Sequence, residues 1–471
     1  MERRPAEGRL SEGMVLVPVA LGTMLAPLNS TMIAVAIPSL LEDFGRSLAW
    51  GSWIVTSYLV AMAAVQPLGG ALGDRYGRRR LFLIGLALFL AATVVAALAW
   101  RVEVLLVART VQAISGAAAI PNGTALVRSL VGPERRGRAF GNVGAAIAVA
   151  AGAGPPIGGI LTATLGWRWI FAANLLLLAP ALILGWRLPA DPPTAQPPRF
   201  DLRGATLLTL GLVSLVLCLT VWRLPDAPLL LAPILGLGAA GALSALVRHS
   251  VRSPHPVLNL ALLRTRGFAP AVASVSLGNL TMYTLLLSLP LFLTAWSPWD
   301  SARIGLLLAG LSLPMIVFSP LGGRLSDNLG RRAPAVLGAF LIAAGASPFL
   351  LVAPAWSWSL YLAPLVFIGA GLGLSMAPIQ AAAVENAPSS EAGQASGLFS
   401  TTRYLGSILG SSVMAAILSG TTPPVTHFRV LYAILFLSAC GATIAALRLP
   451  RWSDEPADPR ALRPGPRSVR C

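Results

Sequence analysis

Fourteen predominantly apolar stretches, each near or above the roughly 20 residues that carry a helix across a bilayer core, follow one another along this 471-residue chain. They cover 14–38, 52–73, 81–99, 103–127, 139–162, 170–187, 204–222, 227–247, 268–294, 302–322, 334–353, 358–383, 395–419 and 429–447. Backbone that crosses lipid must satisfy its own hydrogen bonds, so runs of this kind fold as helices or not at all. Charged residues make up only 11% of the chain, against roughly 25% in soluble domains. The expectation is an all-α polytopic membrane protein with 14 transmembrane helices.

The net charge of +17 does not make this a nucleic-acid binder, because the arginines sit between apolar runs and form no continuous basic face. Every basic residue is Arg; there is no Lys. With the N-terminus inside, only Arg46, Arg101, Arg168, Arg223, Arg303 and Arg429 fall on the outer side, while Arg109 and Arg403 lie within helices. The other arginines fall inside, as short cytoplasmic loops favour. Both termini are therefore expected in the cytoplasm, and the membrane is expected to be the plasma (inner) membrane. The first apolar run is too long for a signal peptide. Cys218, Cys440 and Cys471 form neither a disulfide framework nor a metal-ligand spacing, and no cofactor or metal is expected.

One segment occurs twice. Pro67-Leu-Gly-Gly70-Ala-Leu-Gly-Asp74-Arg-Tyr-Gly77-Arg78-Arg79 returns 253 residues later as Pro320-Leu-Gly-Gly323-Arg-Leu-Ser-Asp327-Asn-Leu-Gly330-Arg331-Arg332. Two copies on one face need an even number of crossings between them. Eight crossings allow about 32 residues each and six about 42, and the short loops favour eight. The chain then divides into a six-helix bundle at 14–189, two inserted linker helices at 203–248, a second six-helix bundle at 265–448 and a cytoplasmic tail at 449–471. In each copy the glycines Gly70, Gly77, Gly323 and Gly330 permit close approach or unusual dihedrals. Asp74 and Asp327 can cap or pair with a neighbouring helix end, and Arg78 and Arg331 face lipid or a carboxylate.

This repeated turn resembles motif A of the major facilitator superfamily, and the family's parallel-repeat architecture is what the resemblance implies. Arg109-Thr-Val-Gln112 resembles its motif B, with Ala113 in place of the usual glycine. Gly154-Pro155-Pro156-Ile157-Gly158-Gly159 resembles motif C, which is associated with exporters. Trp53 to Tyr58, Gly166 to Phe171, Phe200 to Gly204 and Thr402 to Gly406 resemble the fourteen-helix drug:proton antiporter branch.

The chain departs from that branch at Asn29, where the family usually carries Asp. Asn cannot take up and release a proton, and no acidic residue lies in the middle of any predicted helix. What remains inside are Arg109 and Arg403, and a buried Arg is costly enough to face a cavity or a partner. Asn29, Arg109, Gln112, Arg403, Tyr58, Asn279 and Tyr283 are the candidate coupling or substrate residues, each of which can equally be an interhelical hydrogen-bonding group. Gly70, Asp74, Gly77, Arg78, Gly323, Asp327, Gly330 and Arg331, together with Gly154, Pro155, Gly158 and Gly159, are the candidate gating residues.

The function these features suggest is secondary active export of small amphipathic compounds by alternating access, with proton coupling left open. The alternative is an importer or facilitator of a neutral or anionic metabolite without proton antiport. No nucleophile, metal cluster or phosphate loop suggests an enzyme. The expected partners are a small-molecule substrate, protons if transport is coupled, and the lipid bilayer, with the protein a monomer.

Overall fold

The structure is a computed structural model, describing residues 12–46, 48–131, 136–189, 201–221, 230–253, 256–265, 267–385, 392–418 and 423–451. Among them lie fifteen α-helices. The first seven are α1 (Glu12–Phe44), α2 (Leu48–Tyr76), α3 (Arg78–Ala97), α4 (Val102–Leu130), α5 (Arg136–Thr164), α6 (Trp169–Ala172) and α7 (Leu175–Gly185). Then come α8 (Leu202–Val221), α9 (Leu231–Arg252), α10 (Phe268–Trp296) and α11 (Ser301–Leu329). The last four are α12 (Arg332–Ala346), α13 (Trp358–Glu385), α14 (Ala392–Ile417) and α15 (Val425–Leu447). Nine of these segments are long and apolar enough to cross a membrane by length and composition among the described residues.

The surface supports that reading. Leu176, Leu237, Val251 and Val317 are each 69–78% exposed, which is costly in water but neutral against lipid tails. Such an apolar exterior identifies a multi-pass integral membrane protein. Among the described residues five glycines adopt positive φ, and each stands at or beside a helix boundary: Gly45, Gly77, Gly166, Gly267 and Gly330. Gly77 (φ 100°) and Gly330 (φ 79°) occupy the same position of the repeated segment. A side chain there would be strained, so these two residues make the reversals between α2 and α3 and between α11 and α12.

Two expectations are corrected at this level. The repeated segment is not a turn throughout, because α2 runs on to Tyr76 and α3 resumes at Arg78, while α11 runs on to Leu329 and α12 resumes at Arg332, so only Gly77 and the pair Gly330-Arg331 lie between helices. Hydropathy drops at Arg75 and Asn328, but propensity does not, so the helices outlast their apolar runs. The sixth apolar run is also interrupted, with α6 and α7 separated at Ala173 and Asn174.

Packing follows the repeat. α1 lies against α5, α4 and α7, while α2 and α3 both pack on α4. In the second half, α11 and α12 both pack on α13, and α10 packs on α14 and α15. The two halves meet along α5 with α11, α2 with α14 and α1 with α10. The pair α8 and α9 leans on α2 and α14 through α8.

Candidate functional site

The repeated segments do their work through position, and the position differs from expectation by one residue. A Cβ at Gly69 would sit 2.7 Å from the Ala118 Cα, and one at Gly322 would sit 2.8 Å from the Leu374 Cα. These two glycines therefore hold α2 against α4 and α11 against α13. At Gly70 the nearest atom would be 3.7 Å away, and at Gly323 none lies within 4 Å. Gly70 and Gly323 were thus named for a close approach that their preceding neighbours make. The Asp74 side chain lies outside the described residues. In the second copy Arg331 donates to Asp327 at 2.9 Å and to Ser326 at 2.9 Å. Asp327 is 75% exposed, and the pair ties the turn to the end of α11. Arg79, next to Arg78, donates to the Trp186 carbonyl just past the end of α7, where the helix dipole favours a cation.

The glycines of α5 form two faces. A Cβ at Gly158 would lie 2.9 Å from the Met32 Cα, and one at Gly154 would overlap the Thr31 hydroxyl, so both belong to the contact with α1. Gly159 faces the other way. Its Cβ would come within 2.8 Å of the Gly305 Cα and 2.5 Å of the Ser301 carbonyl on α11. Pro155 joins this second face through its carbonyl, 2.7 Å from where a Gly305 Cβ would be. Backbone therefore touches backbone across the two halves, as small residues allow in membranes.

Between these contacts lies a buried polar cluster. Asn29 on α1 and Arg109 on α4 both donate to the Gln112 carbonyl oxygen, at 3.1 and 3.2 Å. The Gln112 amide in turn donates to Thr93 on α3 at 2.8 Å, and Asn174, at the break between α6 and α7, donates to Asn29 at 3.5 Å. Asn29, Arg109, Gln112 and Asn174 are all 0% exposed. The Arg109 guanidinium lies 4.2 Å above the Tyr58 ring of α2. Its Nε and Nη2, like the Tyr58 hydroxyl, are buried with no hydrogen-bond partner among the described residues.

The second half completes the cluster. The hydroxyls of Ser30 on α1 and Tyr283 on α10 are 3.4 Å apart. Tyr283 lies within electrostatic reach of Arg109, Arg403 and Tyr404, and Arg403 sits 5.2 Å from the Tyr404 ring centre. A guanidinium from each half thus lies within electrostatic reach of the Tyr283 phenol. No carboxylate joins them among the described residues. Asn279 stands apart, because its amide is spent on the Val275 carbonyl of its own helix at 3.0 Å. Ser30, Thr93 and Asn174 were not anticipated, since a small polar residue in an apolar run has no sequence signature of facing.

Two further polar knots tie helix ends together. Asp43 accepts from the Trp167 indole at 3.0 Å and Arg168 at 2.8 Å, and Arg168 also donates to the Ala99 carbonyl at 3.2 Å. The Gly166–Phe171 segment is therefore a clamp on the ends of α1, α3 and α5. Asp201 accepts from the Gly204 N–H at 2.9 Å and the Val257 N–H at 3.0 Å, and its oxygen lies 2.6 Å from the His249 Nε2. Burial pushes the Asp201 carboxyl up, but these hydrogen bonds outweigh it and hold the group below the ordinary carboxylate value.

The family model described as Major Facilitator Superfamily matches residues 19–411. The uncharacterized MFS-type transporter YvkA of Bacillus subtilis (strain 168) is 33% identical over 424 residues, covering 90% of this chain and 94% of that protein. The multidrug resistance protein B homolog of Mycobacterium tuberculosis (strain ATCC 25618 / H37Rv) is 30% identical, covering 85% of this chain and 75% of that protein. Among solved structures, a D-xylose-proton symporter superposes with a TM-score of 0.64 at 17% identity, covering 93% of this chain and 98% of that one. At that identity the likeness is one of fold. With a family model spanning most of its length and relatives aligned nearly end to end, this chain belongs to the major facilitator superfamily and is a membrane transporter.

Proposed function

We propose that the protein is a secondary active exporter of small amphipathic compounds that works by alternating access. In this reading α6 and α7 together make one crossing, which gives 14 transmembrane helices. The bundles 14–189 and 265–448 rock against each other about the central cluster, and the pair at 203–248 is inserted between them. The arginine-rich turns at Gly77 and Gly330 face the cytoplasm, as do both termini, and the membrane is the plasma (inner) membrane.

The observation that carries the mechanism is where the halves touch. The Ser30–Tyr283 contact lies at mid-depth, whereas Thr56 and Ser411, 2.9 Å apart, and Gly159 against Gly305 lie toward the end opposite the arginine-rich turns. Described contacts of this kind suit a carrier closed outside and reached from the cytoplasm, the side on which an exporter loads. The 30% identity to a multidrug resistance protein supports amphipathic cargo. Overexpression should lower the accumulation of some amphipathic compounds in cells. No change across a panel of cationic, neutral and anionic compounds would refute export.

A second reading, facilitated movement of a neutral or anionic metabolite, is favoured by the amide at Asn29 and by a cluster without described acids. Counterflow in proteoliposomes that persists with no pH gradient would support it.

A further inference from the structure

We propose that the central cluster is a carboxylate subsite, in which the open edge of Arg109 and the Tyr58 hydroxyl hold the anionic head of an amphipathic substrate. The proposal rests on the transporter reading and names the substrate class of the same site.

The assignment starts from which atoms of Arg109 are used. Nη1 donates to Gln112 at 3.2 Å, while Nε and Nη2 have no partner among the described residues. These two nitrogens share one edge of the guanidinium plane, and their N–H bonds point outward side by side. That fork matches the two oxygens of a carboxylate. The Tyr58 ring lies under the cation at 4.2 Å, which offsets part of the desolvation without consuming an N–H. The Tyr58 hydroxyl is itself buried and unpartnered. Three donors are thus left open in one buried place.

A purely structural Arg would spend its N–H groups on carbonyls or on a carboxylate, because an unsatisfied buried charge is costly. Here its partner is the neutral Gln112 side-chain oxygen, which also accepts from the Asn29 amide. It offers the cation no counter-charge. Tyr283 lies within electrostatic reach of Arg109 on one side and Arg403 on the other.

The test is equilibrium binding to the full chain in lipid nanodiscs, using naphthalene-1-acetate, its carboxamide and 1-naphthylmethylamine as probes. They share one apolar ring and differ in the head. The carboxylate is expected to bind at least 10-fold tighter than the amide, with the amine weakest. Arg109→Lys keeps the charge but loses the fork, and should erase that preference. Tyr58→Phe keeps the ring under the cation and should weaken the carboxylate 3- to 10-fold while leaving the amide unchanged. Asn29→Asp supplies an internal anion and should invert the preference toward the amine. If Arg109→Lys does not fold, Tyr58→Phe decides alone. A wild-type protein that binds the carboxylate no tighter than the amide, including one that binds neither, overturns the proposal, as does a preference that survives in every folded variant. Binding does not report the direction of transport, so loss of the export reading would leave this result standing, and the reverse holds too.

Discussion

Gly159→Ala should push the carrier out of the arrangement described here. The added Cβ would meet the Gly305 Cα at 2.8 Å, against a comfortable carbon–carbon separation of about 3.5 Å. Neither atom belongs to a flexible side chain, so α5 and α11 must part by about 0.7 Å at that point. Overpacking of this kind costs roughly 1–3 kcal/mol, but only while the contact exists. Rocking the halves apart at this end removes the clash, so the open state should gain roughly 5- to 150-fold in relative population. Ser411, 0% exposed where α14 meets α2, serves as reporter: Ser411→Cys, with Cys218, Cys440 and Cys471 replaced by Ser, is reacted with a membrane-impermeant maleimide. Gly159→Ala should accelerate labelling by the same factor, and Gly305→Ala, which meets Gly159 from the other side, should do likewise. Gly278→Ala, with nothing within 4 Å, is the control. Unchanged labelling in a variant that unfolds at the wild-type temperature would refute the reasoning.

Asn29→Asp should make transport pH-dependent through this position, because Asn29 and Arg109 share one acceptor at 3.1 and 3.2 Å. Their nitrogens are then about 6 Å apart at most, and a carboxylate there would attract the cation by roughly 2–3 kcal/mol at an effective dielectric of 20. Flux measured from pH 5.5 to 8.5 should acquire a transition that Asn29→Ala lacks. Asp201→Asn keeps a capping oxygen but removes its charge, and should loosen the junction of α8 and α9 by about 1 kcal/mol, the difference between a charged and a neutral acceptor, read as a lower unfolding temperature. Since the folded carboxyl lies below its ordinary value, its stabilisation is full above the unfolded value near 3.9 and fades as pH falls through the folded value. The variant should therefore differ from wild type at pH 7 and converge with it in strong acid. Gly69→Ala and Gly322→Ala should each cost about 1–3 kcal/mol by overpacking, whereas Gly70→Ala and Gly323→Ala, with room for the methyl, should leave the unfolding temperature within a degree or two.

Helix positions were legible because lipid selects on length and hydropathy, which a single sequence displays directly. Helix ends were less so. Pro320 sits inside α11 and the helix continues to Leu329, since beyond the apolar core nothing but a backbone reversal such as Gly330 stops it. Facing was not legible at all. Gly69 and Gly70 differ by one residue, which on a helix is about 100° of rotation, and only the placement of α4 says which of them meets it. Asn279 and Asn174 are both amides within apolar runs and both donate to the carbonyl four residues back, yet Asn174 also reaches the cluster. The Arg109–Gln112 pair was foreseeable because residues three apart share a helix face. That Asn29 would join the same oxygen was not, because it depends on how α1 packs against α4.

The amide at Asn29 has a consequence for the transport cycle if the carboxylate subsite is correct. Reorientation passes through a state in which both ends are closed and water is driven from the centre. In that state Arg109 keeps one hydrogen bond and one aromatic face, together worth roughly 2–5 kcal/mol, against a desolvation cost of several kcal/mol for a buried ion. A relative with Asp at position 29 would satisfy the cation internally and could close empty. This chain carries no such acid in the cluster among its described residues, so closing without cargo leaves the guanidinium dry and open-edged. An anionic substrate removes that cost, so the loaded carrier should cross the closed state faster than the empty one. On that argument, exchange of labelled for unlabelled substrate should outrun net efflux, and Asn29→Asp should narrow the gap.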